Sequence, residues 1–542
     1  MLYVLFYEGS IIKSMKKTKI IRIAGSIAVL CALLLTGCEK AGDRKTENKL
    51  SFTYWTSLPT QLENMGKTFN DVLMYREREK ESGVDIEFIH PVGGDVTEHF
   101  NLMIASEELP DMIEFNWVDL YSGGPQKAID DGIIIPLNDY IDKYAPNFKR
   151  IIADGNELSD TYRKGAKTDN GSYFAFPNFN TGNVRTFGGP LIRKDWLDEL
   201  GLSVPETIDD WTNVLTAFKE QKNIGTPYTA TNDYFNSRNS FNGAYGVGHR
   251  LYLDGNVVKY GPLEDGYKEY LRKMNEWYKA GLIDPYYVVN TKDAVDAKML
   301  NGTAGATNAN IGNSLGVYLN RMEKKDLKYN LVCAPYPVLN KGGRNDFCQF
   351  ETDVYNSYLA ISTSCENPEK AVQWIDYWYS DEGYRLMNFG VEGKTHNMID
   401  GTPCYTDEIL HNSDDLSVNE ALSLHCRATQ SAPGLRQAPE YLEQYYKYPQ
   451  QVEGYKMWSA NVDNTRKRML PSGLMPMGDE VDEMLILSTD IEVYVEDMCM
   501  KFITGEEPIE NYDKFRTELR TSFHIDRFLG IQQNMYNRYL AR

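Results

Sequence analysis

Leu50, Phe52 and Tyr54 alternate with polar residues in LSFTYW (50–55), which predicts a strand with one apolar face. A second alternating stretch, VDIEFI (84–89), follows the polar helical segment around YREREKESG. In DVTEHFNLMIAS (95–106), Asp95 and Glu98 stand at capping-box spacing, and Val96, Phe100, Met103 and Ile104 recur at i, i+4, i+7 and i+8. That predicts an amphipathic helix, and PDMIEF (110–115) after it predicts a third strand. Strand, helix, strand at this spacing implies a parallel sheet with its ligand crevice beyond the carboxyl ends of the strands. Two of those ends carry tryptophan, Trp55 and Trp117.

The segment YFAFPNFNTGNVRTFGG (173–189) has the aromatic, Gly and Asn content of a crossing between two halves. Alternation restarts in LIRKDWLDELGLSVPETIDDWTNVLTAF, where Thr207 is a good N-cap and Ile208, Trp211, Leu215 and Phe218 make a stripe. NGTAGATNANIGNSLG (301–316) is crowded with small residues and leads into a helix at Val317. LVCAPYPV (331–338) and SYLAIST (357–363) read as strands. Asn367-Pro368 opens a helix with Ala371, Trp374, Ile375 and Trp378 on one face. These four and the helical Trp211 belong in the core, and Trp196 packs between elements of the second half. The last 140 residues read mostly as helix and loop, without sequence repeats.

Before all this, Ile23–Leu35 is almost wholly apolar and Lys16, Lys17, Lys19 and Arg22 precede it. The run is too short for a spanning helix and has the layout of a secretory signal. Leu35-Thr36-Gly37-Cys38 resembles the bacterial lipoprotein signal, in which Cys38 is lipidated and the peptide is cut before it. Residues 1–37 are then a leader, Met15 followed by two lysines looks like an alternative start after residues 1–14, and 38–48 form the lipidated end and a polar tether.

The remaining chain is long enough for two or more domains, and its 42% hydrophobic and 25% charged content is that of a globular protein. Net charge is −20, and residues 1–37 hold five basic and one acidic side chain, so the rest stands near −24. Such a surface repels phosphate backbones and argues against nucleic-acid binding. Cys333, Cys348, Cys365, Cys404, Cys426 and Cys499 are sparse and show no CxxC spacing. They leave room for one or two bridges or for buried free thiols, and do not read as a zinc module. The seven histidines form no HExxH, and neither a DxDxDG nor a GxxxxGK[ST] loop occurs, so no metal or cofactor is expected.

PDMIEFNW, LIRKDWLDELGLSVPET, NFGVEGKTHNMIDG (388–401) and KFITGEEPIENYDKF (501–515), with the leader, resemble the solute-binding lipoproteins of bacterial ABC importers. The nearest branch is the oligosaccharide type of Gram-positive bacteria, distantly similar to maltose-binding protein. The resemblance implies an α/β fold of two hinged lobes (type II, periplasmic-binding-protein-like). Residues 49–180 and 335–395 would form lobe one, and 185–330 and 396–542 lobe two. It also implies a monomer, anchored through Cys38 at the outer face of the cytoplasmic membrane, that hands an oligosaccharide or small polar solute to permease subunits.

Sugars present apolar C–H faces and a rim of hydroxyls, so their pockets need aromatic platforms and multi-donor side chains. Trp55 and Trp117 fit the platforms, Asn116 and Asp119 could take hydroxyls, and Arg185 could offer a fork of donors. Asn308 and Asn310 would face in from lobe two, and Tyr245 in FNGAYGVG could border the cleft. The FNW-like loop of the family carries over to Asn116 and Trp117. Two rival classes stay open. Gly312-Asn313-Ser314-Leu315-Gly316 matches the GxSxG of a hydrolase, although GATNANI before it is not the apolar strand such an elbow needs; a glycosidase would instead use two carboxylates. A lipid-tethered sugar sensor or adhesion module uncoupled from transport is the other.

Overall fold

The alternation in LSFTYW produces β1 (Ser51–Trp55) and that in VDIEFI β2 (Asp85–Ile89), both in the computed structural model of the chain. It describes residues 49–91, 95–153, 155, 157–181, 185–232, 241–414, 416–478 and 480–542. The expected leader, the expected lipidation at Cys38 and the expected tether to residue 48 lie outside the described residues. The further strands are β3 (Met112–Phe115), β4 (Phe176–Asn180), β5 (Gly188–Arg193), β6 (Tyr228–Thr229), β7 (Leu251–Asp254) and β8 (Val257–Tyr260). They are followed by β9 (Ala306–Asn310), β10 (Leu331–Cys333), β11 (Val354–Ile361), β12 (His396–Ile399), β13 (Thr402–Tyr405) and β14 (Gly434–Arg436).

Two sheets organise these strands. The first runs β14-β4-β11-β3-β1-β2 and the second β10-β5-β9-β6. In the first, β1 pairs in parallel with β2 on one side and β3 on the other, so the chain reverses its direction of winding across β1. β11 runs antiparallel to β3 and β4, and β14 parallel to β4. The carboxyl ends of β1, β3, β4 and β14 and the start of β11 therefore share one edge. All three passages of the chain toward the second sheet lie on that edge, after β4, before β11 and after β14.

The helices follow their stripes. Asp95 caps Val96–Ser106 by accepting from the Thr97 amide at 2.8 Å, with Phe100 buried beneath. Thr207 and Asp210 form a reciprocal capping box on Ile208–Gln221, whose Ile208, Trp211, Leu215 and Phe218 are buried. Trp196, Trp374 and Trp378 are core as well. The six described cysteines are free thiols, five of them buried.

Two features of the chain path shape the lobes. The small-residue stretch GATNAN forms β9, with Asn308 and Asn310 toward its end. Its small residues are needed because a β-carbon at Gly305 would stand 2.4 Å from the Phe218 ring and 2.7 Å from that of Trp196. The first lobe also keeps the chain past the expected boundary at 395. Hairpin β12–β13 returns onto the helix Asp381–Phe389, with the Tyr405 hydroxyl donating to the Asn388 carbonyl at 2.6 Å, and β14 closes the first sheet. The passage back to the second lobe comes after Arg436.

Candidate site at the shared strand edge

The reversal across β1 leaves a crevice between the ends of β1 and β3. A groove of about 460 Å³ opens there, lined among others by Thr56, Ser57, Asn116, Ser357 and Gln430. Its floor is a buried ionic network. Arg427 donates from both terminal nitrogens to the two Glu114 oxygens at 3.0 Å, and one of them also reaches the Tyr75 hydroxyl at 2.9 Å. Glu114 further accepts from the Tyr54 and Ser357 hydroxyls, each at 2.6 Å. Ser357 reaches this network because β11 shifts register between Tyr355 and Tyr358. A larger space of about 640 Å³ lies beside Asp353, Arg466 and Tyr539. Several of its charges pair with one another, as in Arg466–Asp353 at 3.3 Å and Arg468–Asp254 at 2.7 Å.

From the groove the edge continues over the hinge strands. The Arg436 guanidinium lies over the Tyr355 ring at 4.7 Å. Beyond β14, the helix Pro439–Tyr445 starts a run of tyrosines: Tyr441, Tyr445 and Tyr446 have successive ring separations of 5.5 Å. Tyr445 is half-buried and meets the second lobe at Gly312, where an added β-carbon would stand 3.4 Å from its ring.

The second lobe presents the ends of β6 and β9, which are parallel, and β9 ends opposite Gly188, where the chain enters from the first lobe. At the end of β6, Asp284 accepts from the Thr229 hydroxyl at 2.7 Å, the Asn290 amide at 2.8 Å and the Tyr286 backbone at 3.0 Å, with Lys298 paired to it. This pins a loop that holds Tyr286 65% exposed, an aromatic ring presented to solvent by a rigid support.

The sequence-predicted residues divide accordingly. Asn116 lines the groove and shares two hydrogen bonds with exposed Asp119, its amide donating to the carboxylate at 2.8 Å and its carbonyl accepting from the Asp119 backbone at 3.1 Å. Asn310 is half-buried at the second-lobe edge. The two indoles point away from the groove into the core. Trp117 is fully buried against Phe100 at 5.3 Å and Tyr121 at 5.8 Å, and Trp55 packs on Phe100 and Phe115. Arg185 is a structural tie, ion-paired with Asp353 at 2.9 Å and donating to the Asn180 carbonyl at 2.7 Å. Asn308 is buried opposite Pro190, and Tyr245 packs against Tyr270 with burial pushing its phenol up. Glu114, Arg427, Ser357, Tyr286 and the tyrosine run went unread. PYYVVN and YLEQYYKY, both dense in aromatics beside polar residues, were the available signals.

Ser314 of the GxSxG match is 4% exposed on a π-helical turn, Ile311–Gly316, beside Tyr318, whose hydroxyl is already committed to Asp296 at 2.6 Å. Among the described residues no cluster of three or more His, Cys, Asp or Glu side chains is placed to hold a metal ion.

Two lobes joined by three passages, with a polar groove at the winding reversal and further polar and aromatic groups along the facing edges, define a type II, periplasmic-binding-protein-like fold. Residues 59–385 match the family model of the bacterial extracellular solute-binding protein, and the chain belongs to that family. It is 24% identical over 513 residues to the fructooligosaccharide ABC transporter substrate-binding protein FusA of Streptococcus pneumoniae, a match spanning 87% of this chain and 88% of that protein. Its fold is similar to the alginate-binding protein AlgQ2 (TM-score 0.70, 21% identity, 91% of this chain and 99% of that one). It is also similar to an HMO-binding solute-binding protein of Bifidobacterium longum infantis (TM-score 0.71, 18% identity, the same coverage).

Burial alone would push the Asp284 carboxyl up, but hydrogen bonds from Lys298, Asn290 and Thr229 hold it below the ordinary range. A depressed carboxyl contributes stability that is present above its unfolded value, about 4, and lost as pH falls through the folded value. Asp284→Asn should therefore be less stable than wild type at neutral pH, and the gap should narrow below about pH 4. Chemical unfolding across pH reads this; a gap independent of pH would contradict it.

Proposed function

We propose that this chain is a lipid-anchored solute-binding protein that closes on an oligosaccharide and delivers it to the permease of an ABC importer. The observation that carries the reading is the shared strand edge, where hydroxyls and amides (Ser57, Asn116, Ser357, Asn310) lie on the same side of the fold as partly open aromatic rings (Tyr286, Tyr445). That combination suits sugar rings, with stacking for the C–H face and planar donors for the rim. Membership of a family of binding proteins supports it, as do the names of its relatives, which bind fructooligosaccharides, alginate and HMO. Asn116, Asp119 and Asn310 from the sequence reading belong to the proposed contact set.

In this reading the protein does no covalent chemistry. A ligand touching both lobes binds the closed form better than the open one and shifts an existing equilibrium. Moving that balance from mostly open to mostly closed takes about 5 kcal/mol of differential affinity, which a few stacked rings and hydrogen bonds supply. The buried Ser314 gives the hydrolase reading no support. Turnover of a glycan during the binding assay would revive it, and intact uptake after gene deletion would favour a sensor.

A thermal-shift screen of the purified protein against plant and host glycans tests the reading. A specific glycan at 100 times its Kd should add about 2.7 kcal/mol of stability. Tyr286→Ala should shrink that shift and leave the unliganded melting point almost unmoved, since the ring is mostly in solvent. A panel without any shift would sink the proposal, and a shift indifferent to Tyr286→Ala would remove that ring from the site. For the anchor, Cys38→Ser should move the protein from the membrane fraction to the medium; retention at the membrane would refute lipidation there.

A further inference from the structure

Four arginines are almost fully buried among the described residues, and three are neutralised at close range. Arg185 meets Asp353 at 2.9 Å, Arg193 meets Asp195 at 2.6 Å and Arg427 meets Glu114 at 3.0 Å. Arg436 differs. It is 5% exposed, yet among the described residues its side chain makes neither a salt bridge nor a hydrogen bond. Its company is the Tyr355 ring face at 4.7 Å. Glu351 acts on it only through space and already accepts from the Gln349 amide at 3.1 Å. Arg427, the other charge that reaches it, is a cation.

A second idle group lies beneath. In the register of the first sheet, Asn178 on β4 stands between Gly434 of β14 and Tyr355 of β11, and Arg436 pairs two residues further along, opposite Asn180. Residues two apart on a strand share a face, so Asn178 and Arg436 project on the same side, and Arg436 reaches Tyr355 by crossing β4. Asn178 is fully buried, and neither its amide nitrogen nor its carbonyl oxygen has a partner among the described residues. The neighbouring Gln437 carbonyl oxygen is also unpartnered, on a backbone held at φ 62°. Buried polar groups are costly unless satisfied, and an arginine without an anion most of all. Each such group calls for an explanation, and a ligand that completes it is one.

We propose that Arg436 and Asn178 form an acid-sugar subsite, in which the guanidinium fork receives the carboxylate of a uronic or similarly acidic sugar residue and the amide takes a neighbouring hydroxyl. The planar fork matches a carboxylate bidentately, which an ammonium cannot do. The subsite adjoins the passage out of β14 that leads to Tyr441 and Tyr445, so an acidic ring held there would sit where the two lobes are joined. This inference rests on the oligosaccharide-binding reading and narrows it to carboxylate-bearing glycans.

The test is calorimetric titration of the purified protein with uronate oligosaccharides of several backbones (galacturonan, mannuronan, guluronan and glucuronoxylan fragments), each beside its carboxyl-reduced counterpart. A uronate probe should bind roughly tenfold to a hundredfold more tightly than its reduced form, the range of a charge-assisted pair. Arg436→Gln should erase that preference, and Arg436→Lys should recover only part of it. Because Arg436 is idle in the unliganded protein, Arg436→Gln should also melt at or above the wild-type temperature when no glycan is present. Arg436→Gln melting several degrees lower would show a structural role and overturn the proposal. So would uronate binding untouched by the substitution, or a neutral glycan bound as tightly as its acidic form. Failure of every glycan, acidic and neutral, would defeat the oligosaccharide reading itself and the subsite with it.

Discussion

Glu114 lies one residue before the end of β3, and its buried carboxylate is what holds this edge of the first lobe together. It binds β1 through Tyr54, β11 through Ser357, and the returning segment before β14 through Arg427. Removing a carboxylate from water costs several kcal/mol, which its attraction to a guanidinium offsets only when geometry is good and the remaining lone pairs are used. Here both oxygens face the arginine and each takes a hydroxyl donor. Losing either partner would strand a charge in the core at about 3–5 kcal/mol. The network therefore favours one register of β11 and one path for residues 427–431 beneath the groove.

For the proposed function, that rigidity sets the terms of closure. The first sheet presents a fixed edge, three passages of the chain leave from it, and the second lobe offers Asn310 and the loop carrying Tyr286 on an anchor of its own. Free energy from a bound solute can then go into approach of the lobes rather than into ordering loops. The C-terminal helix Ile525–Ala541 constrains the approach further. Arg538 and the adjoining Arg542 both hold Asp169 of the first lobe at 2.7 Å, while the same helix packs on β8 of the second. A charge near −24 outside residues 1–37 does not exclude an acidic ligand, because a buried, uncompensated cation acts locally while surface charge is screened within about 10 Å.

Much of this architecture was legible in the chain. β1, β2 and β3 follow from period-two alternation, the helix stripes from the 3.6 period, and the crevice from strand–helix–strand order. What misled was Trp55. Phe52 and Tyr54 take one face of β1, so Trp55 takes the other, and a sheet covered on both sides buries both. Its position at a strand end was right and its direction was not. Trp117 stands beyond β3, but its indole folds back to the Ile113 carbonyl at 3.4 Å. Three-residue β14 left too short a pattern to read. The Glu114–Arg427 pair joins residues 313 apart in sequence, a contact that local pattern cannot reveal.

Solution X-ray scattering, with and without a glycan found to bind, addresses the central claim most directly, because it reads the separation of the lobes. Closing lobes should give a smaller radius of gyration at saturation and lose the inter-lobe shoulder in the distance distribution. A glycan that binds tightly while leaving the scattering curve unchanged would contradict a clamp that works by closing across this edge.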